Sequence, residues 1–189
     1  MSFTALWKLD NKKSTSQENV LKSMGKPSWQ IDLVNEADEN FRLIHFKVTK
    51  GDKTVSVFDK KVRIYLQSSI ISFFSSIFRI PFNEVTYKHK LIANGKEFHH
   101  PNDKKDFGDC KSVTTWNEEK NYFTIRWYLS NGLIKVTHKI IKGQLHVTMN
   151  FTNKNNKTES ATKVYDRREL SKEDKDFIKS KTSDTVRVC

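Results

Sequence analysis

The stretch 122-YFTIRWYLSNGLIKVTHKIIKGQLHVTM-149 contains three runs of alternating apolar and polar residues, separated by two short turn sequences. An alternation with a period of two is typical of strands that bury one face. Asn131-Gly132 between the first two runs is the strongest hairpin signal in the chain, and Lys142-Gly143 separates the second run from the third. The stretch therefore predicts consecutive antiparallel strands.

The same alternation recurs outward from this stretch in both directions. The further runs cover residues 3–9, 29–34, 41–48, 54–58, 62–66, 84–92, 111–116 and 158–166. About ten or more short antiparallel strands predict an all-β fold, a closed up-and-down barrel, because closure removes exposed sheet edges. A barrel of that size has an interior that side chains, water or a ligand must fill. We therefore expect the function to depend on what the interior holds.

Three helices are predicted to interrupt the strands. Ser14 or Ser16 can cap a helix that runs to Met24, where Gly25 offers a left-handed stop. A capping box at 171–174 predicts a short helix near the C-terminus. The third helix is 68-SSIISFFSSIFRI-80, in which the serines lie on one side and the apolar residues on the other. Its apolar side includes Ile70, Ile71, Phe73, Phe74, Ile77 and Phe78, and pairing of this run as a strand is the alternative.

The composition indicates one basic domain. The 189 residues are 36% hydrophobic, and 13 Phe among 12% aromatic residues favour a core built largely from rings. The net charge of +12 attracts anionic partners, either an acidic membrane or nucleic acid. The lysines are dispersed along the chain, without a nucleic-acid-binding motif, which argues against nucleic acid and favours transient contact with an anionic membrane surface. A solvated surface that aids solubility is the alternative.

The cysteines and histidines predict neither a disulfide framework nor a metal site. Cys110 and Cys189 are the only cysteines, and we find no signal peptide and no membrane-spanning apolar run, so we expect a cytoplasmic protein. His99 and His100 are adjacent on a predicted extended chain and therefore point to opposite faces. We expect no metal ion, no cofactor and no catalytic residue.

Several motifs occur in the order and spacing found in the intracellular lipid-binding proteins, the fatty-acid-binding and cellular retinoid-binding family. They are FTALWKL at 3–9, SQENVLKSMG at 16–25, GKEF at 95–98, CKSVTTWNEEKN at 110–121, VTHKIIKGQLHVTM at 136–149 and ATKVYDR at 161–167. The chain resembles a divergent, longer member of this family. The resemblance implies a barrel over residues 1–168, helices over one end, an insertion at about 50–82 near the portal, and a helical tail at 169–189.

The resemblance also implies where a ligand head group would bind. The family often holds a carboxylate with an Arg on a late strand and an Arg-x-Tyr triplet on the last strand. Here the matching residues are His138 and the triplet Lys163-Val164-Tyr165, with Arg126 as a further candidate. A lysine is a point charge without the planar fork of arginine, and a histidine is often neutral near pH 7, so we expect weaker and more pH-dependent carboxylate binding. An outward-pointing Lys163 is the alternative.

Large rings are the candidates for the cavity wall. We predict Phe41, Phe58, Trp116, Trp127 and Phe151 for this role, and Trp7 and Trp29 as core or cavity-lining rings. A shift of one residue in strand facing would move a ring to the outside. The Ile/Phe helix at 68–80 is expected at the portal, as a lid, a membrane-contacting flap, a partner-binding face or a plug of the barrel mouth.

These patterns predict a monomeric cytoplasmic carrier. It would enclose one hydrophobic small molecule of the fatty acid or retinoid class and exchange it at membranes. One alternative is an enzyme on the same barrel, in which Lys163 forms a Schiff base with a carbonyl ligand. The other is an interaction protein that binds a partner through the Ile/Phe helix and the tail.

Overall fold

The computed structural model describes residues 3, 5–39, 42–49, 54–61, 85–100, 110–117, 119–169, 172 and 187–188; for residues 33, 36–39, 42–49, 54–61, 85–92, 99–100 and 187–188 it describes the backbone alone. Within these ranges the chain forms eleven strands and two helices. Their bounds are β1 Ala5–Asp10, α1 Glu18–Ser23, α2 Ser28–Glu39, β2 Arg42–Thr49, β3 Thr54–Lys61, β4 Val85–Ile92, β5 Asn94–His100, β6 Cys110–Asn117, β7 Tyr122–Leu129, β8 Gly132–Ile141, β9 Gln144–Asn153, β10 Thr158–Arg168 and β11 Arg187–Val188.

The strands form a single sheet in the order β11-β4-β3-β2-β1-β10-β9-β8-β7-β6-β5. All pairs are antiparallel except β11 with β4, which are parallel. Consecutive strands are neighbours in the sheet from β1 to β4 and from β5 to β10, and the two helices lie in the chain between β1 and β2. The pairing of β1 with β10 joins the two series. The predicted all-β, up-and-down antiparallel order is therefore confirmed, and β5 and β11 are strands that we did not predict.

The sheet curves back on itself at a seam between β4 and β5. Ala93 alone separates these two strands, although they belong to opposite ends of the hydrogen-bonded order. The chain therefore passes from one side of the strand order to the other through this buried residue. No pairing joins β4 to β5 within the described ranges, so the prediction of a closed barrel is wrong in this respect. On the side away from β3, β4 pairs with β11 at His89 and Lys90, so this edge is not free for β5. In β5 itself Gly95 has φ +76 and the register with β6 shifts between Asn94 and Glu97.

Helix α1 begins and ends close to the predicted positions. The hydroxyl of Ser16 accepts a hydrogen bond of 3.1 Å from the backbone N–H of Glu18, the first residue of the helix. At the other end Gly25 has φ +77, and the N–H of Lys26 donates to the carbonyl of Leu21 over 3.0 Å. This is the hydrogen-bond pattern of a glycine-terminated helix. The predicted helix is confirmed in a shorter form.

The second helix corrects a prediction. Residues 29–34 were expected to form a strand, but they lie in α2. A run of six residues fits both periods, and here the pair Ile31 and Val34, one helical turn apart, packs with the apolar cluster beneath α1. The carbonyl of Pro27 accepts the N–H of Gln30 over 3.0 Å at the start of the helix. Trp29 is 61% exposed and is therefore not the core ring that we predicted.

Two apolar clusters fill the described part of the interior. The first combines the N-terminal segment with the strands and consists of Phe3, Ala5, Trp7, Leu9, Phe123, Ile125, Leu145 and Tyr165. The second lies beneath the helices and consists of Val20, Leu21, Met24, Ile31, Ile134, Phe151 and Ala161. Trp127 packs against both clusters. The helices therefore cover one end of the barrel, as the resemblance implied, and the N-terminal rings fill another part of it.

Some predicted elements lie outside the described residues. These are the strand at 62–66, the Ile/Phe helix at 68–80 and, apart from Lys172, the helix near the C-terminus. Neither α1 nor α2 is long and apolar enough to cross a bilayer, and these are the helices that the structure describes.

Candidate functional site

Strand alternation decides which side chains face the interior. On β8 the burial pattern places Ile134, Val136 and His138 inside, whereas Lys135 and Lys139, which each follow one of these residues, are exposed. Antiparallel pairing carries this parity to the neighbouring strands. Inner positions are therefore even-numbered on β6 and β8 and odd-numbered on β7, β9 and β10. The sequence left open which alternate residues of each strand face inward, and the burial pattern together with the register now determines this.

One inner row brings the two predicted head-group residues together. His138 on β8 and Lys163 on β10 both pair with Val147 on β9 and so lie on either side of it. Both are 8% exposed. With about 4.8 Å between neighbouring strands, their backbones are roughly 10 Å apart. The two side chains therefore form a buried polar pair on the inner face, one on each side of Val147.

Aromatic rings fix the orientation of the histidine in this row. The imidazole of His138 stacks on Phe123, with ring centroids 4.2 Å apart and planes inclined by 9°. Phe123 stacks in turn on Trp116 at 5.7 Å and 8°. Phe3 meets both of these rings edge-on at 5.4 Å. The row Trp116, Phe123, His138 therefore forms a continuous stack of rings across three strands.

The remaining predicted residues that face inward lie on either side of this row. Tyr165 follows Lys163 by two residues on the same face, is 1% exposed and belongs to the first apolar cluster. Trp127 and Phe151 both pair with Ile134, four residues from His138 toward the helices. Trp127 and Phe151 thus line the part of the interior under the helices. Tyr165 lies on the opposite side of the row that holds His138 and Lys163, which we call the polar row.

Three other predicted wall or head-group residues are placed differently. Arg126 precedes the inward-facing Trp127 and pairs with Lys135, so it lies on the outer face of β7, since neighbouring residues of a strand point to opposite sides. This position removes Arg126 from the interior. Phe58 pairs through its backbone with His45 and Lys88 in the sheet, but its side chain lies outside the described residues. Phe41 and the apolar residues of 68–80 also lie outside them.

Two buried polar residues of the interior were missed. Ser112 is 1% exposed and Thr114 is 2% exposed, and both occupy inner positions of β6 with Cys110 and Trp116. Their signal in the sequence was the alternation of CKSVTTW, which makes them inward as soon as Trp116 is inward. They add hydroxyl groups to the wall beside Trp127 and Ile125. The interior therefore carries polar side chains on β6 as well as on β8 and β10.

The charge of the interior favours an anionic or carbonyl group. Glu159 is the one carboxylate at the inner positions of β1 and β6–β10, and it forms an ion pair of 3.0 Å with Lys157. Lys163 is the cation near the middle of the same surface. A lysine ammonium has three donors and no acceptor, so it binds oxygen acceptors such as carboxylates and carbonyls.

Comparisons with known proteins agree with this architecture. No family profile matches the sequence, and no curated protein is similar to it at the sequence level. Among solved structures, human cRBP IV matches with a TM-score of 0.58 and 15% identity, covering 89% of this chain and 99% of its own. The fluorescent protein UnaG matches with a TM-score of 0.55 and 21% identity, covering 88% and 97%. The fatty-acid-binding protein 1 of Echinococcus granulosus matches with a TM-score of 0.56 and 10% identity, covering 87% and 96%. The chain therefore has the fold of the intracellular lipid-binding proteins.

Proposed function

We propose that this chain belongs with the intracellular lipid-binding proteins in function, and binds one hydrophobic small molecule of the fatty acid or retinoid class inside the barrel. The observation that carries the proposal is the placement of the buried His138 and Lys163 on either side of Val147, beside two clusters of apolar and aromatic side chains. A structural relative that is named a fatty-acid-binding protein supports the class of ligand.

The apolar body and the polar head group of such a ligand contribute differently to binding. Burial of the apolar body supplies the driving force, at about 0.8 kcal/mol per methylene. The head group sets the orientation through Lys163, with His138 and Tyr165 beside it. A lysine contacts a carboxylate as a point charge and lacks the two-pronged geometry of arginine. We therefore expect moderate affinity and tolerance for different anionic or carbonyl heads.

The carrier role extends to the surface of the protein. A net charge of +12 draws the chain to anionic bilayers, where ligand would be loaded and released. In this proposal the protein is a cytoplasmic monomer that carries its ligand unchanged, without a catalytic residue or cofactor.

The test compares two ligands that differ only in the head group. Displacement of a fluorescent fatty acid by oleate and by methyl oleate is measured for the wild type, for Lys163→Met and for Lys139→Met. Lys139 is the matched control because it is exposed on the outer face of β8, next to His138 in the chain. The Lys163→Met variant should bind oleate about tenfold or more weakly than the wild type, because it loses a charge-assisted contact. Methyl oleate should bind both variants as it binds the wild type.

Two results would contradict the proposal. Unchanged oleate affinity in Lys163→Met would remove this lysine from the head-group site. Failure of the wild type to bind any fatty acid or retinoid would remove the carrier function itself, and would leave an interior occupied by the protein's own side chains.

A further inference from the structure

The outer surface of the central strands is basic over a long stretch of chain. Between Glu119 and Glu159 there is no Asp or Glu, but there are seven Lys or Arg residues. This stretch includes all of β7, β8 and β9. The candidate ligand site uses the inner side chains of these strands and leaves their outer side chains without an assigned role.

The register gathers residues that are dispersed in the sequence. Arg126 on β7 pairs with Lys135 on β8, and Tyr122 pairs with Lys139. Lys135 and Lys139 are exposed, and Tyr128, two residues beyond Arg126 on the same face, is 44% exposed. We call these five residues the basic sheet face: Tyr122, Arg126, Tyr128, Lys135 and Lys139. Lys111 pairs with Tyr128 but is not included, because it forms an ion pair of 2.8 Å with Glu97.

Polar side chains separate the two cross-strand pairs of the basic sheet face, Arg126–Lys135 and Tyr122–Lys139. Thr124 and Thr137 pair between them, with their hydroxyl oxygens 3.4 Å apart, and the threonine row continues to Thr148 and Thr162, whose hydroxyls are 3.0 Å apart. Tyr122 and Tyr128 are six residues apart on one strand, which corresponds to about 20 Å. The face therefore presents cations between two aromatic rings, over a length that spans several nucleotides of an extended strand.

We propose that the basic sheet face binds single-stranded nucleic acid. Proteins that bind single strands without strong sequence preference combine a cationic track along the phosphates with aromatic rings on which bases stack. Arg126, Lys135 and Lys139 supply the cations, and Tyr128 supplies the most exposed ring. These basic residues are dispersed in the sequence, but the pairing of β7 with β8 brings them together on one face.

The same face fits a bilayer less well. A membrane-binding surface needs a group of protruding apolar side chains beside its cations. The outer apolar residues of β8, Leu133 and Ile141, lie at opposite ends of the strand, with Lys135, Thr137 and Lys139 between them. Charge complementarity with a phosphate chain is thus favoured over insertion into lipid.

The experiment measures binding of a fluorescein-labelled 12-nucleotide oligouridine by anisotropy over a series of salt concentrations. The test variant is the triple substitution Arg126→Gln, Lys135→Gln and Lys139→Gln. The control is Lys12→Gln, Lys154→Gln and Lys172→Gln, which removes the same charge from exposed positions elsewhere. The slope of log affinity against log salt should become shallower by about 2 in the test variant, because each lost phosphate contact on a single strand contributes roughly 0.7. The control should keep the slope of the wild type.

A second variant tests the aromatic part of the proposal. Tyr128→Ala should lower oligouridine affinity about five- to one-hundred-fold and leave the salt slope unchanged, because a stacking contact releases no counterions. Far-UV circular dichroism and displacement of the fluorescent fatty acid should be unchanged in all of these variants, since the substituted side chains lie on the surface. The fatty acid assay thereby separates failure of this proposal from failure of the carrier function.

Three results would overturn the inference. The first is absence of oligouridine binding by the wild type at 50 mM salt. The second is an equal loss in the test and control variants, which would indicate attraction by net charge alone. The third is a test variant that keeps its oligouridine affinity but no longer sediments with vesicles of phosphatidylcholine and phosphatidylserine, which would assign the face to a membrane.

Discussion

Gly132, the first residue of β8, occupies a position where a methyl group does not fit. A Cβ atom there would lie 2.3 Å from the carbonyl oxygen of Thr152 and 2.8 Å from the ring of Phe151. Phe151 is fully buried and cannot move aside easily. We expect Gly132→Ala to lower the free energy of unfolding by about 1–3 kcal/mol through overpacking. Urea denaturation measures this loss, and Ser130→Ala at the neighbouring exposed turn position is the control. Equal stability of the two variants would contradict the packing argument.

The placement of single residues explains what the sequence could and could not predict. The alternation around Trp116, Trp127 and His138 was visible, but a period of two leaves open which half of the residues faces inward. Arg126 and Trp127 are adjacent, so only one of them can line the interior, and the buried neighbours of Trp127 decide between them. The pairing of His138 and Lys163 around Val147 needed the register of three strands, which no local pattern contains.

At the scale of elements, the helical cap is tied to a hairpin. The amide of Asn131, in the turn between β7 and β8, donates a hydrogen bond of 3.0 Å to the carbonyl of Met24 at the end of α1. Helix carbonyls in the last turn have no partner within the helix, so this contact satisfies one of them. The hairpin therefore holds the end of α1 over the second apolar cluster.

Loss of this contact should loosen the cap more than the barrel. We expect Asn131→Ala to cost about 0.5–1.5 kcal/mol, the usual contribution of one hydrogen bond, and to speed hydrogen exchange at the amides of Leu21 and Met24. Asn131→Asp should have a larger effect, because a carboxylate would face the carbonyl oxygen. Amide exchange followed by mass spectrometry measures the effect, with Asn155→Ala in the exposed turn between β9 and β10 as the control. Unchanged exchange in α1 would mean that the hairpin does not hold the cap.

The elements themselves were predictable to different degrees. The hairpins of the central strands followed from their turn residues, and at Lys142 and Gly143 the φ values of +48 and +83 match a turn of mirror-image type. The Asn131-Gly132 pair predicted these two residues as the turn. Gly132 already pairs with Leu129, so the turn consists of Ser130 and Asn131, one residue earlier. The helix α2 was mistaken for a strand, because its packing against α1 decides a pattern that fits both periods.

The whole molecule uses the two sides of one sheet differently. The inner side of β6–β10 carries rings, Lys163 and His138, and the outer side of β7 and β8 carries cations, tyrosines and threonines. The antiparallel order could be predicted, since hairpin signals join consecutive strands. The open seam between β4 and β5 could not, because the pairing of β11 with β4 and the register shift in β5 are not encoded by local propensity.

Stability of the whole molecule should fall as the solution becomes acidic. Burial lowers the pKa of His146, on the outer side of β9, from its usual 6.5. The unfolded chain therefore takes up a proton at this residue before the folded chain does, and stability is lost as pH falls below 6.5 until the folded pKa is passed. A hydrogen bond from Lys13 lowers the pKa of Asp10 from 3.8, so the contribution of Asp10 is lost only in a more acidic range, as pH falls through its folded pKa. The two groups thus act in separate pH windows.

Urea denaturation between pH 4.5 and 7.5 isolates the histidine. We expect the free energy of unfolding of the wild type to decrease below pH 6.5, and His146→Gln to have a flatter profile over the same range. Because the shift at His146 comes from desolvation, the difference between the two proteins should persist in 0.5 M NaCl, whereas repulsion within a chain of net charge +12 would be screened. Parallel profiles at both salt concentrations would mean that burial of His146 contributes nothing to acid sensitivity.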